Sequence, residues 1–140
     1  MRLPDSVKDI IAAGAYGHVV TLNEDGSPQV SLAWVKVDRD DLLIATLSDQ
    51  RKLQNLLRDP RVALSFETDE LNEWGLRKYV VVHGRAVVEL GGAPELLQDL
   101  AHTYLGPDVS FPAMPDPPPG FITRITVERV GGQGPWSSRA

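Results

Sequence analysis

The sequence predicts a mainly β protein, a six-stranded antiparallel barrel with short helices, built as a single domain over residues 1–140. Three observations predict it. Strand-length apolar runs are separated by compact turn clusters, Asn23–Ser27 and Asp38–Asp41, so consecutive runs link as hairpins. Residues Phe121–Val130 (FITRITVERV) alternate, with Ile122, Arg124, Thr126 and Glu128 opposing Thr123, Ile125, Val127 and Arg129. Helical segments are too few and too irregularly placed for a doubly wound βαβ fold.

Taken in order, Pro4–Ala13 reads as an amphipathic helix, with Val7, Ile10 and Ile11 on one side and Gly14 and Gly17 ending it. His18–Leu22 is the first strand. Gln29–Val37 is the second, with Val30, Leu32 and Trp34 on one face and Gln29, Ser31, Ala33, Val35 and Val37 on the other. Leu42–Leu47 is the third. Ser48 and Asp49 are candidate N-caps for a helix that buries Leu53, Leu56 and Leu57 and stops at Asp59-Pro60. Val62–Thr68 is the fourth strand, and Asp69–Leu76 reads as a polar connection holding Trp74. Tyr79–Leu90 is the fifth strand, where His83-Gly84 suggests a bulge or bend. Pro94–Leu105 is a helix with Leu96, Leu97 and Leu100 inward. Gly106–Gly120 holds six prolines and excludes regular structure, and Gly131–Trp136 reads as a closing loop after the sixth strand.

A chain of 140 residues can bury roughly two-thirds of its unfolded surface. With few aromatics, its core must rest on Val, Leu, Ile and Ala. A net charge of -5 argues against non-specific nucleic-acid binding. The absence of cysteine removes disulfides, thiolate nucleophiles and cysteine zinc sites, and fits a reducing cytoplasm. No apolar run in the first residues is long enough for a signal peptide or membrane span, so a cytoplasmic protein without membrane or nucleic-acid partners is expected.

The most informative stretch is Ser48–Phe66 (SDQRKLQNLLRDPRVALSF), where a strand hands over to a helix opening with Arg51 and Lys52. Two cations in a first turn oppose the helix dipole and leave the free N–H groups without a negative partner. A bound phosphate would answer both deficits. The competing account is a solvated cationic face, since Arg and Lys are good helix formers.

The segments GSPQVS, DLLIATLS and RKLQNLLRDPRVALSF together resemble the split-barrel flavin and deazaflavin oxidoreductases, the pyridoxamine 5′-phosphate oxidase-like superfamily. The stretch NLLRDPRV is similar to the actinobacterial branch that uses the deazaflavin coenzyme F-420. The resemblance implies an FMN-binding-type split barrel that forms homodimers, with sites in clefts between subunits. It assigns Arg51 and Lys52 to the cofactor phosphate, and Thr46, Leu47 and Ser48 to the ribityl chain and ring. Asn55 would reach the polar tail, and Gln29, Ser31 and Ala33 would lie beside the ring. For Ser31 and Thr46, ordinary strand packing is the alternative. One departure matters: the flavin-using oxidases carry an Arg-x-Val-Leu-Leu-Lys strand and a C-terminal Arg-Leu-x-Pro pattern. Here the strand is Val30–Lys36 (VSLAWVK), without the leading arginine, and the tail pattern is missing. This disfavours pyridoxamine phosphate oxidation and favours the deazaflavin.

The resemblance thus implies an oxidoreductase that transfers hydride from coenzyme F-420 to an unsaturated or quinone-like small molecule. FMN chemistry on the same scaffold is the alternative, as is a non-catalytic module for a flavin-like or haem-like ligand. Hydride chemistry belongs to the cofactor, so no catalytic side chain is assigned. His18, His83 and His102 lack metal-ligand spacing, and no G-x-S-x-G or Rossmann fingerprint is present. Trp34 suits core or dimer packing. Trp74 and Trp136 could each stack on a planar ring, or simply pin a loop or tail.

Overall fold

The computed structural model describes residues 1–137. The elements are α1 (Asp5–Ala12), β1 (Gly17–Leu22), β2 (Pro28–Ala33), β3 (Lys36–Asp38) and β4 (Asp41–Thr46). They continue as α2 (Arg51–Arg58), β5 (Arg61–Leu71), β6 (Arg77–Leu90), α3 (Ala93–Tyr104) and β7 (Phe121–Gln133). The strands form one antiparallel sheet in the order β2-β1-β5-β6-β7-β4-β3. Its two outermost strands, β2 and β3, are separated in the chain only by Trp34 and Val35, so the sheet curls until its edges meet. This is the split-barrel architecture the sequence predicts.

The strand count is seven, not six, because the predicted strand Gln29–Val37 breaks at Trp34-Val35. The sequence hides the break because burial alternates straight through it: Ala33 and Val35 are buried and Trp34 is half-buried. Where the ladder lapses, Tyr104 substitutes for a neighbouring strand. Its hydroxyl accepts the Val35 N–H at 3.0 Å and donates to the Ala15 carbonyl at 2.7 Å. Burial raises the Tyr104 phenol above its ordinary pKa, which keeps it a neutral donor.

Two other boundaries shift. Asp69–Leu76 is a hairpin tip rather than a loose connection, because β5 runs on to Leu71 and Asn72 Oδ1 accepts the N–H groups of Trp74 and Leu76 at 2.9 and 3.0 Å. Strand β7 extends into the expected closing loop, with Gly131, Gly132 and Gln133 paired to Val81, Val80 and Tyr79. The irregularity expected at His83-Gly84 is present. His83 faces Arg129 and Gly84 faces Val127, so Glu128 is the extra residue. The bulge resets the alternation, and Val130, not Arg129, points into the core. Gly84 is required here, since a Cβ would run into the Thr126 carbonyl.

Inside the barrel, Val19, Leu64, Phe66, Val80, Val82, Ile125 and Val127 pack with Leu42 and Ile44 of β4, and Val7 and Ile11 of α1 join the same core. A smaller cluster of Leu43, Leu96 and Leu100 glues α3 to the outer face of β4. Strand β4 therefore buries both faces, which explains why Leu42-Leu43-Ile44 is continuously apolar rather than alternating.

Candidate functional site

The handover from β4 to α2 forms the floor of a cleft of about 390 Å3. Ala45, Thr46, Leu47 and Ser48 supply the strand end, and Gln50 and Lys52 supply the helix start. Tyr16, Leu32, Ala33 and Trp34 line it from the β2 side, and Leu97, Leu100 and Phe111 line it from α3 and the proline-rich segment. Gly120 permits this closeness. It has φ of 60°, and a Cβ would clash with the Thr46 carbonyl and the Ala93 Cβ, so the returning segment lies directly against the end of β4.

The electrostatics of the helix start are unsettled in a specific way. The residue capping α2 is Gln50, with no side-chain hydrogen bond; the expected caps Ser48 and Asp49 lie upstream, exposed. Its first turn carries no acid. Lys52 is only 7% exposed, and among the described residues neither Lys52 nor Arg51 has a carboxylate within ion-pair distance. Burial lowers the Lys52 ammonium below its ordinary value of 10.5. Thr46, 5% exposed, has a buried hydroxyl with no hydrogen-bond partner among the described residues. A desolvated cation and free N–H groups thus meet at this strand–helix junction, where an anion would satisfy both.

Five of the sequence-predicted residues meet in this cleft: Ala33, Thr46, Leu47, Ser48 and Lys52. Arg51 is exposed and lies next to it in the chain, outside the lining. Ser31, on β2, keeps a buried hydroxyl with no partner among the described residues but does not line the cleft, and Gln29 is engaged with Thr21 at 3.1 Å. Asn55 points the other way. It is 3% exposed, donates to Thr21 Oγ1 at 3.0 Å and Asn23 Oδ1 at 3.1 Å, and accepts from Arg58 at 3.0 Å. That network fastens α2 to the β1–β2 hairpin and occupies both amide protons of Asn55 and one acceptor site of its oxygen. Leu57, expected to be buried, is 71% exposed because the inward stripe of α2 is Lys52, Leu53, Asn55 and Leu56.

Trp136 is also elsewhere. It is buried in the barrel core, and its Nε1 donates to the Tyr79 carbonyl at 2.9 Å, so it pins the end of β7. Its exposed edge belongs to a second, larger cleft of about 840 Å3. Trp74 stands 76% exposed on the hairpin tip and lines neither cleft. The cleft-lining residues that sequence reasoning missed include Tyr16, Trp34, Gln50, Leu97, Leu100 and Phe111. For Gln50, its place between Ser48 and Lys52 was a usable signal; the others come from distant segments with no shared spacing.

Among the described residues, no group of three or more His, Cys, Asp or Glu is placed to hold a metal. Among them, no helix is long and apolar enough to cross a membrane. The family model for pyridoxamine 5′-phosphate oxidase matches residues 3–134. A comparison with curated proteins returns no match. Solved structures share the fold. A protein described as an F-420 reductase aligns with a TM-score of 0.74 at 23% identity, over 92% of this chain and 98% of its own. HupZ from Group A Streptococcus aligns with 0.67 at 17%, over 99% of each. An FAD-binding protein from Mesorhizobium loti aligns with 0.63 at 21%, over 94% of this chain and 95% of its own.

Proposed function

The chain belongs to the pyridoxamine 5′-phosphate oxidase family, and from that premise we propose that it is an oxidoreductase holding coenzyme F-420, with FMN as the alternative cofactor. The observation that carries this reading is Lys52: a buried side chain with no carboxylate partner among the described residues, at an uncapped helix start that lines the cleft. Lys52 and the α2 N–H groups bind the cofactor phosphate, and Arg51, exposed one residue earlier, adds long-range attraction. Thr46, Leu47 and Ser48 run beside the ribityl chain. Ala33 and Trp34 bound the flat ring.

The bound cofactor supplies hydride chemistry toward an unsaturated or quinone-like acceptor. The protein's share is to orient the ring, shield it from water and fix the phosphate. The missing Arg-x-Val-Leu-Leu-Lys strand argues against pyridoxamine phosphate as substrate. A second reading, ligand binding without turnover, is favoured by one observation: among the described residues, no carboxylate or histidine lines this cleft.

A homodimer belongs to the same proposal. Along the outer face of β2, β1, β5 and β6, the paired rows Leu32–His18–Ser65–Val81 and Val30–Val20–Ala63–His83 contain no Asp, Glu, Lys or Arg, and Val30 and Leu32 are exposed. An uncharged face of this kind suits a second copy, and Leu32 also lines both clefts.

Titration calorimetry with coenzyme F-420 and FMN side by side tests the cofactor assignment. One of them binds wild-type protein, and Lys52→Ala weakens that binding by roughly 10- to 100-fold, the worth of a charge-assisted phosphate contact. Equal affinity in the variant would remove the phosphate assignment. Turnover of the bound, reduced cofactor against a panel of quinones and enones separates enzyme from carrier.

A further inference from the structure

Residues Gly106–Gly120 contain no helix or strand, yet Phe111 within them lines the cleft. One side chain of α3 accounts for its placement. The Gln98 amide donates through Nε2 to the Val109 carbonyl at 2.8 Å and accepts the Phe111 N–H on Oε1 at 3.0 Å. These are the two bonds a neighbouring strand would make. Gln98 Nε2 also lies 3.0 Å from His102 Nε2, so both amide protons have acceptors when that ring nitrogen is unprotonated. Among the described residues, no other side chain bonds to the backbone of residues 107–118.

Phe111, held in this way, stands edge-on to Trp34, with centroids 5.3 Å apart and planes at 60°. Trp34 in turn stacks on Tyr104 at 5.4 Å and 10°. Tyr104 is fixed by its bonds to Val35 and Ala15. The aromatic wall is therefore braced from the barrel at one end and by Gln98 at the other.

We propose that Gln98 is a positioning residue: by latching Val109 and Phe111 onto α3, it fixes Phe111 against Trp34 and sets the width of the slot that admits the planar cofactor ring. The proposal rests on the ring-binding reading above. An edge-to-face wall that cannot retreat selects by thickness, so a flat ring system fits where a puckered or branched ligand does not.

Amide hydrogen exchange on the ligand-free protein tests the latch directly. The Phe111 N–H is protected in the wild type and exchanges about tenfold faster in Gln98→Ala, with the barrel strands unchanged. Gln98→Glu keeps the acceptor for Phe111 but turns a carboxylate oxygen toward the Val109 carbonyl, so its protection falls between those of the wild type and Gln98→Ala. Affinity for whichever of FMN or coenzyme F-420 binds falls about tenfold in Gln98→Ala and in Phe111→Ala, and the double variant is no weaker than Phe111→Ala alone. Unchanged Phe111 exchange in Gln98→Ala, equal deprotection in the alanine and glutamate variants, or additive losses in the double variant would each overturn the proposal. Wild-type protein that binds neither cofactor defeats the ring-binding reading instead, while accelerated Phe111 exchange in Gln98→Ala still supports the latch, so the two failures are separable.

Discussion

Two clefts adjoin in this protein and share Tyr16 and Leu32, yet they differ in what their charges lack. The larger, about 840 Å3, is lined by Asp9, Glu67, Asp69 and Glu70 against Arg77 and Lys78. Both of those cations are already paired, Arg77 with Asp69 at 3.3 Å and Lys78 with Glu70 at 3.6 Å. The smaller, about 390 Å3, contains one buried ammonium with no carboxylate partner among the described residues. Size would pick the first as a binding site; unsatisfied chemistry picks the second. An anionic tail entering the larger cleft meets surplus carboxylates, whereas in the smaller one it meets a cation and free N–H groups.

The comparison can be broken from the large-cleft side first. Trp136 lines that cleft but belongs to the core, so Trp136→Ala should cost about 3–5 kcal/mol of stability in urea denaturation. Cofactor affinity of the folded fraction should stay within about twofold of wild type. A large affinity loss with little destabilisation would make Trp136 a ligand platform after all. Next in size is the loss of cofactor affinity in Lys52→Ala, which should have no counterpart in the larger cleft.

The ligand-free protein offers a third test through pH. Burial lowers the Lys52 ammonium in the folded state, so between that lowered value and 10.5 the unfolded chain binds more protons than the folded one. The stability contribution of this site therefore rises with pH across that window. Lys52→Met should be more stable than wild type near neutral pH, and the difference should shrink as pH approaches 10.5. Denaturation curves at several pH values check the slope, and a gap that widens with pH would show that the ammonium is stabilised in the fold. The smallest effect sharpens the contrast: Asp9→Asn combined with Glu67→Gln should leave cofactor affinity within about twofold, with any change toward tighter binding.

Much of this architecture was legible because barrel strands leave local signatures. The alternation of Phe121–Val130 and the turn clusters at Asn23–Ser27 and Asp38–Asp41 each depend on neighbouring residues alone. The break at Trp34-Val35 was not legible, because the chain changes sheet edge without changing which residues face inward. The hairpin tip at Asp69–Leu76 reads in the sequence as a polar connection because it carries no buried stripe to set a period. In the cleft, Thr46, Leu47, Ser48 and Lys52 could be read since one strand–helix junction contributes them. Tyr16, Leu97 and Phe111 could not, because three separate segments deliver them. Asn55 misled for a local reason. It lies one turn beyond Lys52 on the buried stripe, the face that contacts the β1–β2 hairpin, and the periodicity of Leu53 and Leu56 already marked that stripe.

Crystals soaked in turn with coenzyme F-420 and with FMN put the central assignment to its most direct test. The predicted result is a phosphate oxygen about 2.7–3.2 Å from Lys52 Nζ, at the start of α2, with the ring beside Trp34. A cofactor seated among Asp9, Glu67 and Trp136, with Lys52 still touching no anion, would contradict it.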